Sequence, residues 1–232
     1  MRSVIIRIAA CLSAALAICS CQNRYRIEGT TSVYGHEGGT MQLVYFEDRT
    51  LHPLDSCVVN HGRFYMENRV DGPKYALIMK DDKAVLPLIV EGGKTRIEIS
   101  PDGATVSGTR QNEILYSFLN EKAVVDHRFD EMNQKKRQLA CQQPVDVEAL
   151  SATRDSLRVI ISEWEGLIMD FFRTNWDQNA SLGVFMMLTY NLHDNLPPVI
   201  RKILDEAPEE FMQDPYVLDV TGRVNYSKPA VQ

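Results

Sequence analysis

Several groupings in this sequence have residue types that could do chemistry. Cys19-Ser20-Cys21 sets two thiols one residue apart, raw material for a metal site or a redox pair. Asp55-Ser56 places a hydroxyl beside a carboxylate, as a nucleophile and its base would require. In the stretch DHRFDE, His127 and Glu131 are four residues apart, as are Asp126 and Asp130. On a helix each pair shares a face, which is how zinc-binding helices present their ligands. Cys57 and Cys141 are the remaining thiols of the folded body.

Spacing weakens most of these. Neighbours on a strand point to opposite faces, so Asp55 and Ser56 cannot act together directly; hydrogen bonds at the strand's entry are expected instead. No third ligand stands at diagnostic spacing from His127 and Glu131, so a solvated charged face with i,i+4 pairing is expected there. His36, His52, His61 and His193 are scattered among turn residues, where an exposed polar role is expected. Gly38-Gly39 and Gly92-Gly93 lack the helix and lysine of a phosphate-cradling loop and read as hairpin turns. Asn179-Ala180-Ser181 matches a glycosylation sequon, and Asp155-Ser156-Leu157 a short O-glycosylation pattern known in some Gram-negative groups. Cys57 and Cys141 could close a long loop as a disulfide in an oxidising compartment, or remain two separate buried thiols; their separation in space decides it. The expectation is a protein with no catalytic, cofactor-binding or metal-ligating residues.

The first cysteine pair has a different context. Residues 1–20 carry Arg2 and Arg7 as a basic n-region and an alanine-rich apolar run from Ile8 to Ile18, with no acidic residue before Glu28. The run falls short of the roughly 20 residues a spanning helix needs, and reads as a secretion signal. Its end, Ile18-Cys19-Ser20-Cys21, resembles the lipobox of bacterial lipoproteins: an aliphatic residue, a small residue at −1, then the modified cysteine. Cys21 fits that position because Ser20 precedes it; bulky Ile18 suits Cys19 poorly. The resemblance implies that the Cys21 thiol takes a diacylglycerol and its amine an acyl chain such as palmitate, and multiple chains hold a membrane far better than one. Cleavage to a free soluble protein and a C-x-C metal or redox site are the weaker readings. Gln22, in place of the aspartate that retains some lipoproteins at the inner membrane, implies the outer membrane, periplasmic side.

Composition sets outer limits. The 232 residues are 44% hydrophobic and 24% charged, ordinary globular values, with a net charge of −6 that disfavours a nucleic-acid partner. Residues 25–110 read as a β-rich domain. TMQLVYFED alternates after the Gly38-Gly39 turn, and Asn60-His61-Gly62 sits between two β-prone runs as a tight hairpin. A second hairpin turns at Asp81-Asp82-Lys83. In KTRIEIS, Ile97 and Ile99 face in while Arg96 and Glu98 face water; ATVSG is a last short strand.

Beyond Gly108 the period becomes helical. Ile114, Leu115, Phe118 and Leu119 form one stripe, followed by a charged stretch to Arg137 and a stop at Pro144. A second helix over 147–175 carries Leu157, Ile160, Ile161, Trp164, Leu167, Ile168, Phe171 and Phe172 at three-and-four spacing, so core packing is expected for these and Trp176. Together the two predict a long antiparallel helical hairpin. SLGVFMMLTYNL predicts a third, mostly buried helix; Asn195 with Pro197 and Asp214 with Pro215 start two more. Residues 111–226 would form the helical domain, with a polar tail at 227–232 and a lipidated tether at 21–24. The fold class is α+β: an antiparallel β-sandwich or partly open barrel followed by a helical domain.

Specific residues of the first half carry a family resemblance. They are Ile27 and Gly29; Leu54, Asp55, Ser56, Val59, Gly62 and Phe64; Glu91-Gly92-Gly93; and Val106-Ser107-Gly108-Thr109 with Asn112. In this order they resemble the domain of unknown function 4369, a β-rich module that follows a lipoprotein signal. In many relatives a thioredoxin-like domain with W-C-x-x-C follows and exchanges disulfides. This sequence holds no C-x-x-C and ends at Gln232, so that activity is not expected to carry over. The expected function is a membrane-anchored binding or scaffolding module with an unidentified protein or small-molecule partner. The alternative is an accessory or truncated relative of a thioredoxin-like oxidoreductase.

Overall fold

A computed structural model describes residues 23–47, 50–192 and 195–228. The chain divides into two compact units, one up to Ile114 and one from Leu115 onward.

The first unit is an open β-sandwich. Its strands are β1 (Arg24–Thr31), β2 (Thr40–Glu47), β3 (Thr50–Val58), β4 (Arg63–Arg69), β5 (Lys74–Lys80), β6 (Lys83–Val90), β7 (Gly93–Ser100) and β8 (Gly103–Ser107). One sheet has the order β4-β1-β7-β8 and the other β3-β2-β5-β6. Period-two burial fixes which side faces in. Tyr25 and Ile27, Phe64 and Met66, and Ile97 and Ile99 are buried from the first sheet; Met41, Leu43, Ile78 and Leu88 are buried from the second. Arg96 and Glu98 are exposed, as the alternation of KTRIEIS requires.

Two pairings differ from an all-antiparallel reading. β1 and β7 run parallel, Ile27 opposite Thr95. A parallel pair needs a long crossover, and here the whole second sheet and β4 lie between the two strands in sequence. The strands flanking Asn60-His61-Gly62 are not a hairpin either: β3 pairs with β2, and β4 with β1. The turn itself forms, with His61 at φ 51° and Gly62 at φ 67°. The Asn60 and Arg63 backbones bond reciprocally across it. It is a corner that carries the chain from one sheet to the other. The turn at Asp81 and Asp82, both at positive φ, does join an antiparallel pair, β5 and β6.

The helices are α1 (Arg110–Ala140), α2 (Val147–Asn175), α3 (Asn179–Thr189), α4 (Pro198–Glu206), α5 (Glu209–Met212) and α6 (Pro215–Arg223). α2 starts where the Asp146 side chain accepts from the Ala149 N–H, and α6 where Asp214 accepts from the Tyr216 N–H. At α4 the N-cap position is Pro197, not Asn195. The four-residue α5 is too short to leave a periodic signal. α1 and α2 are antiparallel neighbours: Phe118 meets Phe171 at 4.6 Å between ring centroids, while farther along α1 Arg128 pairs with Glu163 at 2.6 Å.

Aromatic packing centres the helical unit. Phe172 is fully buried and edge-on to Phe171 at 5.5 Å, with Trp176 at 5.1 Å. Phe211 of α5 meets both Trp176 and Phe185 of α3. Such rings bury large areas and prefer these tilted contacts. The stripe read on α2 fails at one position, Ile161, which is 44% exposed. Ile161 lines an open cleft between α1 and α2 instead of a closed core. Among the described residues no helix is long and apolar enough to cross a membrane.

Candidate functional site

Asp55 and Ser56 lie on opposite sides of β3, Asp55 half-buried and Ser56 exposed. Asp55 does not act at the strand's entry. It joins the sheets, with one carboxylate oxygen accepting from the Tyr25 hydroxyl of β1 at 2.9 Å and the other from the Ser56 N–H at 2.7 Å. Burial, reinforced by the Asp55 carboxylate, raises the Tyr25 phenol far above its ordinary value, so it stays a donor. Cys57 is a half-buried free thiol, pushed up to about 11 by burial and by Asp55. That favours the protonated form and works against nucleophilic reactivity. Cys141 is also free, and exposed, so the reading of two buried thiols fails for it. It sits in the turn after α1, beyond the hairpin's apolar contacts.

His127 and Glu131 stand 3.6 Å apart on α1, both more than half exposed. Asp126 is paired with Lys122. Among the described residues no three His, Cys, Asp or Glu side chains come together. His36 bonds the Thr31 hydroxyl and His52 the Thr50 hydroxyl, with the His52 ring stacked on Tyr45 at 5.4 Å; His61 forms the sheet corner. Asn179 is exposed at the start of α3, but Ser181 is fully buried and donates to the Asn175 carbonyl. Ser156 is exposed on α2 and bonds the Ala152 carbonyl. Cys21 and His193 lie outside the described residues.

The motif residues of the β unit have architectural partners. The Asn112 side chain pairs with one residue of β6: its carbonyl accepts from the Ile89 N–H, and its amide donates to the Ile89 carbonyl, both at 2.8 Å. The same amide donates to the Thr109 hydroxyl, and Asn112 is fully buried. A side-chain amide thus supplies strand-like pairing to the backbone of edge strand β6. Glu91 accepts from the Gln111 N–H, closing the same junction. Gly29 makes room for a ring, since a Cβ there would fall inside that of Phe64. Glu37 accepts from the His61 and Gly62 N–H groups at the sheet corner, and these bonds hold its carboxyl below the ordinary range.

These bonds give the motif residues structural work, and the segment that holds them has a match among known families. Residues 25–115 match the family model of a domain of unknown function (DUF4369). No curated protein matches the chain. The DUF4369 match runs past β8 to include Asn112, so the first turn of α1 belongs with the sandwich it locks.

Two surfaces of the described residues could meet a partner. On the hairpin, a cleft of about 360 Å³ is lined by Val125 and Phe129 from α1 and by Ile160, Ile161 and Trp164 from α2. Lys122 and Asp126 stand at its rim. On the sandwich, the outer side of the first sheet is strongly basic. β1 contributes Arg24, Arg26 and Glu28; β4 contributes Arg63, Glu67 and Arg69; β7 contributes Lys94, Arg96 and Glu98. Six cations thus face three carboxylates in a chain whose net charge is −6. Sequence reading placed Arg96 and Glu98 outward but missed this field, because β1, β4 and β7 become neighbours only through long-range pairing.

Proposed function

We propose that this protein is a lipid-anchored periplasmic lipoprotein of the outer membrane, with Cys21 as the acylated residue, acting as a non-catalytic binding or scaffolding module. The carrying observation is the sequence Ile18-Cys19-Ser20-Cys21 at the end of a basic-then-apolar leader, with the first strand beginning at Arg24. A short tether between anchor and sandwich is the arrangement an anchored module needs. The non-catalytic part of the reading is supported by the use of Asp55, Glu91 and Asn112 in hydrogen bonds that join strands and turns. The apolar cleft on the helical hairpin supports a role in holding a protein or small molecule. Cys21→Ala is expected to abolish fatty-acid labelling and release the protein from membranes; labelling that persists in the variant sinks the anchor.

A second reading is an accessory to, or truncated relative of, a thioredoxin-like thiol-disulfide oxidoreductase. The DUF4369 domain together with a sequence free of C-x-x-C favours it. Both readings expect the purified protein not to reduce insulin disulfides, because the sequence holds no C-x-x-C to trade a disulfide. Turnover at thioredoxin-like rates overturns the non-enzymatic assignment. Cross-linking in intact cells to a thioredoxin-like partner selects the accessory role.

A further inference from the structure

The basic side of the first sheet is not neutralised by its own carboxylates. Glu67 is shared by Arg24 at 3.0 Å and Arg26 at 3.3 Å, and Glu28 pairs with Lys94 at 2.7 Å. Among the described residues, Arg63, Arg69 and Arg96 are exposed and have no ion-pair partner. Strand register decides where this charge concentrates. Arg24 lies opposite Arg69 in the antiparallel β1–β4 pair, and Arg26 lies between Glu67 and Lys94. At that end of the sheet, Arg24, Arg26, Arg69 and Lys94 border a shallow hollow of about 560 Å³, with Glu67 as the sole carboxylate on its lining.

That end is also where the chain enters the fold. Arg24 is three residues after Cys21, and three residues span at most about 10 Å. An acyl anchor on Cys21 therefore holds the hollow close to the headgroup layer, whichever way the sandwich is tilted. Lysines and arginines next to an anionic leaflet are attracted across roughly a Debye length, about 8 Å at physiological salt. Charge and tether thus point to the same neighbour.

We propose that the outer side of the β4-β1-β7 sheet rests on anionic phospholipid headgroups of the membrane that carries the anchor, with lipid phosphate taken into the hollow between Arg24, Arg26, Arg69 and Lys94. This rests on the lipoprotein reading and adds an orientation to it: the sandwich lies against the leaflet instead of swinging free. The guanidinium groups of Arg24 and Arg69 supply forked donors suited to phosphate oxygens.

Amine acylation footprinting tests this on the full chain reconstituted in phosphatidylcholine vesicles, with and without phosphatidylglycerol. Lys94 is expected to lose several-fold in labelling rate only when phosphatidylglycerol is present, with recovery in high salt. Lys83, the exposed first residue of β6 in the other sheet, stays unchanged. Arg63→Ser with Arg69→Ser and Arg96→Ser is expected to remove most of the protection while fatty-acid labelling persists. Equal Lys94 labelling in both vesicle types overturns the proposal, as does protection that survives in the triple variant. So does equal protection by a soluble polyanion such as heparin without vesicles, because the partner is then not lipid. Missing fatty-acid label on the native chain sinks the anchor reading alone. The Lys94 footprint of Cys21→Ala mixed with the same vesicles still decides whether this sheet meets anionic lipid.

Discussion

The two units hold themselves together by different means. In the sandwich, individual polar groups have assigned partners across long sequence distances: Tyr25 with Asp55, Glu37 with the corner at residues 61–62, Asn112 with Ile89. In the helical unit the interior is a cluster of rings from α2, α3 and α5, and the ion pairs, some within one helix (His127 with Glu131) and some between helices (Arg128 with Glu163, Arg173 with Glu206), stay on exposed faces. A sheet edge leaves backbone donors and acceptors that must be satisfied one by one, whereas a helix satisfies its own backbone and asks its neighbours only for volume. Change in the sandwich is therefore constrained by hydrogen-bond geometry, and change in the helices by shape.

Four measurements put that contrast at risk. Phe172→Ala is expected to cost about 3–5 kcal/mol, since a fully buried ring at the centre of the cluster leaves a cavity. Both tryptophans, Trp164 and Trp176, belong to the helical unit, so denaturant unfolding followed by tryptophan fluorescence reads this loss. A cost below about 1 kcal/mol would mean shape is not what holds the helices. Asn112→Ala is expected to cost about 3 kcal/mol, because the buried Ile89 N–H and carbonyl both lose their side-chain partner. Amide exchange in β5 and β6 should rise accordingly. Asn112→Asp should rescue little, since a carboxylate cannot donate to the Ile89 carbonyl.

Gly29→Ala comes next, at about 1–3 kcal/mol, because the new methyl collides with the Phe64 ring. The Phe64→Leu background should relieve much of that cost, and a double-mutant cycle measures the coupling. An additive result would refute the claim that this glycine is there for the ring. The smallest effect concerns pH. The Glu37 carboxyl titrates below the ordinary carboxylate range in the folded chain because two backbone N–H groups bond its charged form. Its stabilisation of the sheet corner is complete above the ordinary range and is lost as pH falls through the lowered value. Amide exchange at His61 and Gly62 should accelerate over that acid interval in the native chain, and Glu37→Gln should flatten the dependence.

Much of the fold was legible because it is local. The turns at residues 60–63 and 81–82 could be read from turn-forming residues, of which Gly62, Asp81 and Asp82 take positive φ. α2 could be read to its observed limits from a 29-residue periodicity. The short α5 could not, since four residues hold barely one turn. The consequence of the 60–63 turn could not be read either. Two β-prone runs around a tight turn predict a hairpin, yet β3 and β4 pair away from each other. β1 is already beside β4, β2 beside β3, and the corner only joins the sheets.

The candidate surfaces divide in the same way. The proposal for Cys21 comes from sequence alone, because a leader and its processing motif act on an unfolded chain, before any packing exists. Asp55 was visible as part of a motif, but not as the acceptor for Tyr25, since nothing in a sequence says that residues thirty positions apart meet. The basic sheet was hidden for that reason as well. Arg24, Arg69 and Lys94 lie in three separated segments and form one surface only because β1 pairs antiparallel with β4 and parallel with β7. The proposed leader with its cysteine, the turns and the second helix are read from the sequence because each depends on neighbours along the chain. Strand order, the locking role of Asn112 and the basic sheet arise only in the folded molecule, because each depends on free energies of contact between segments that the chain brings together on folding.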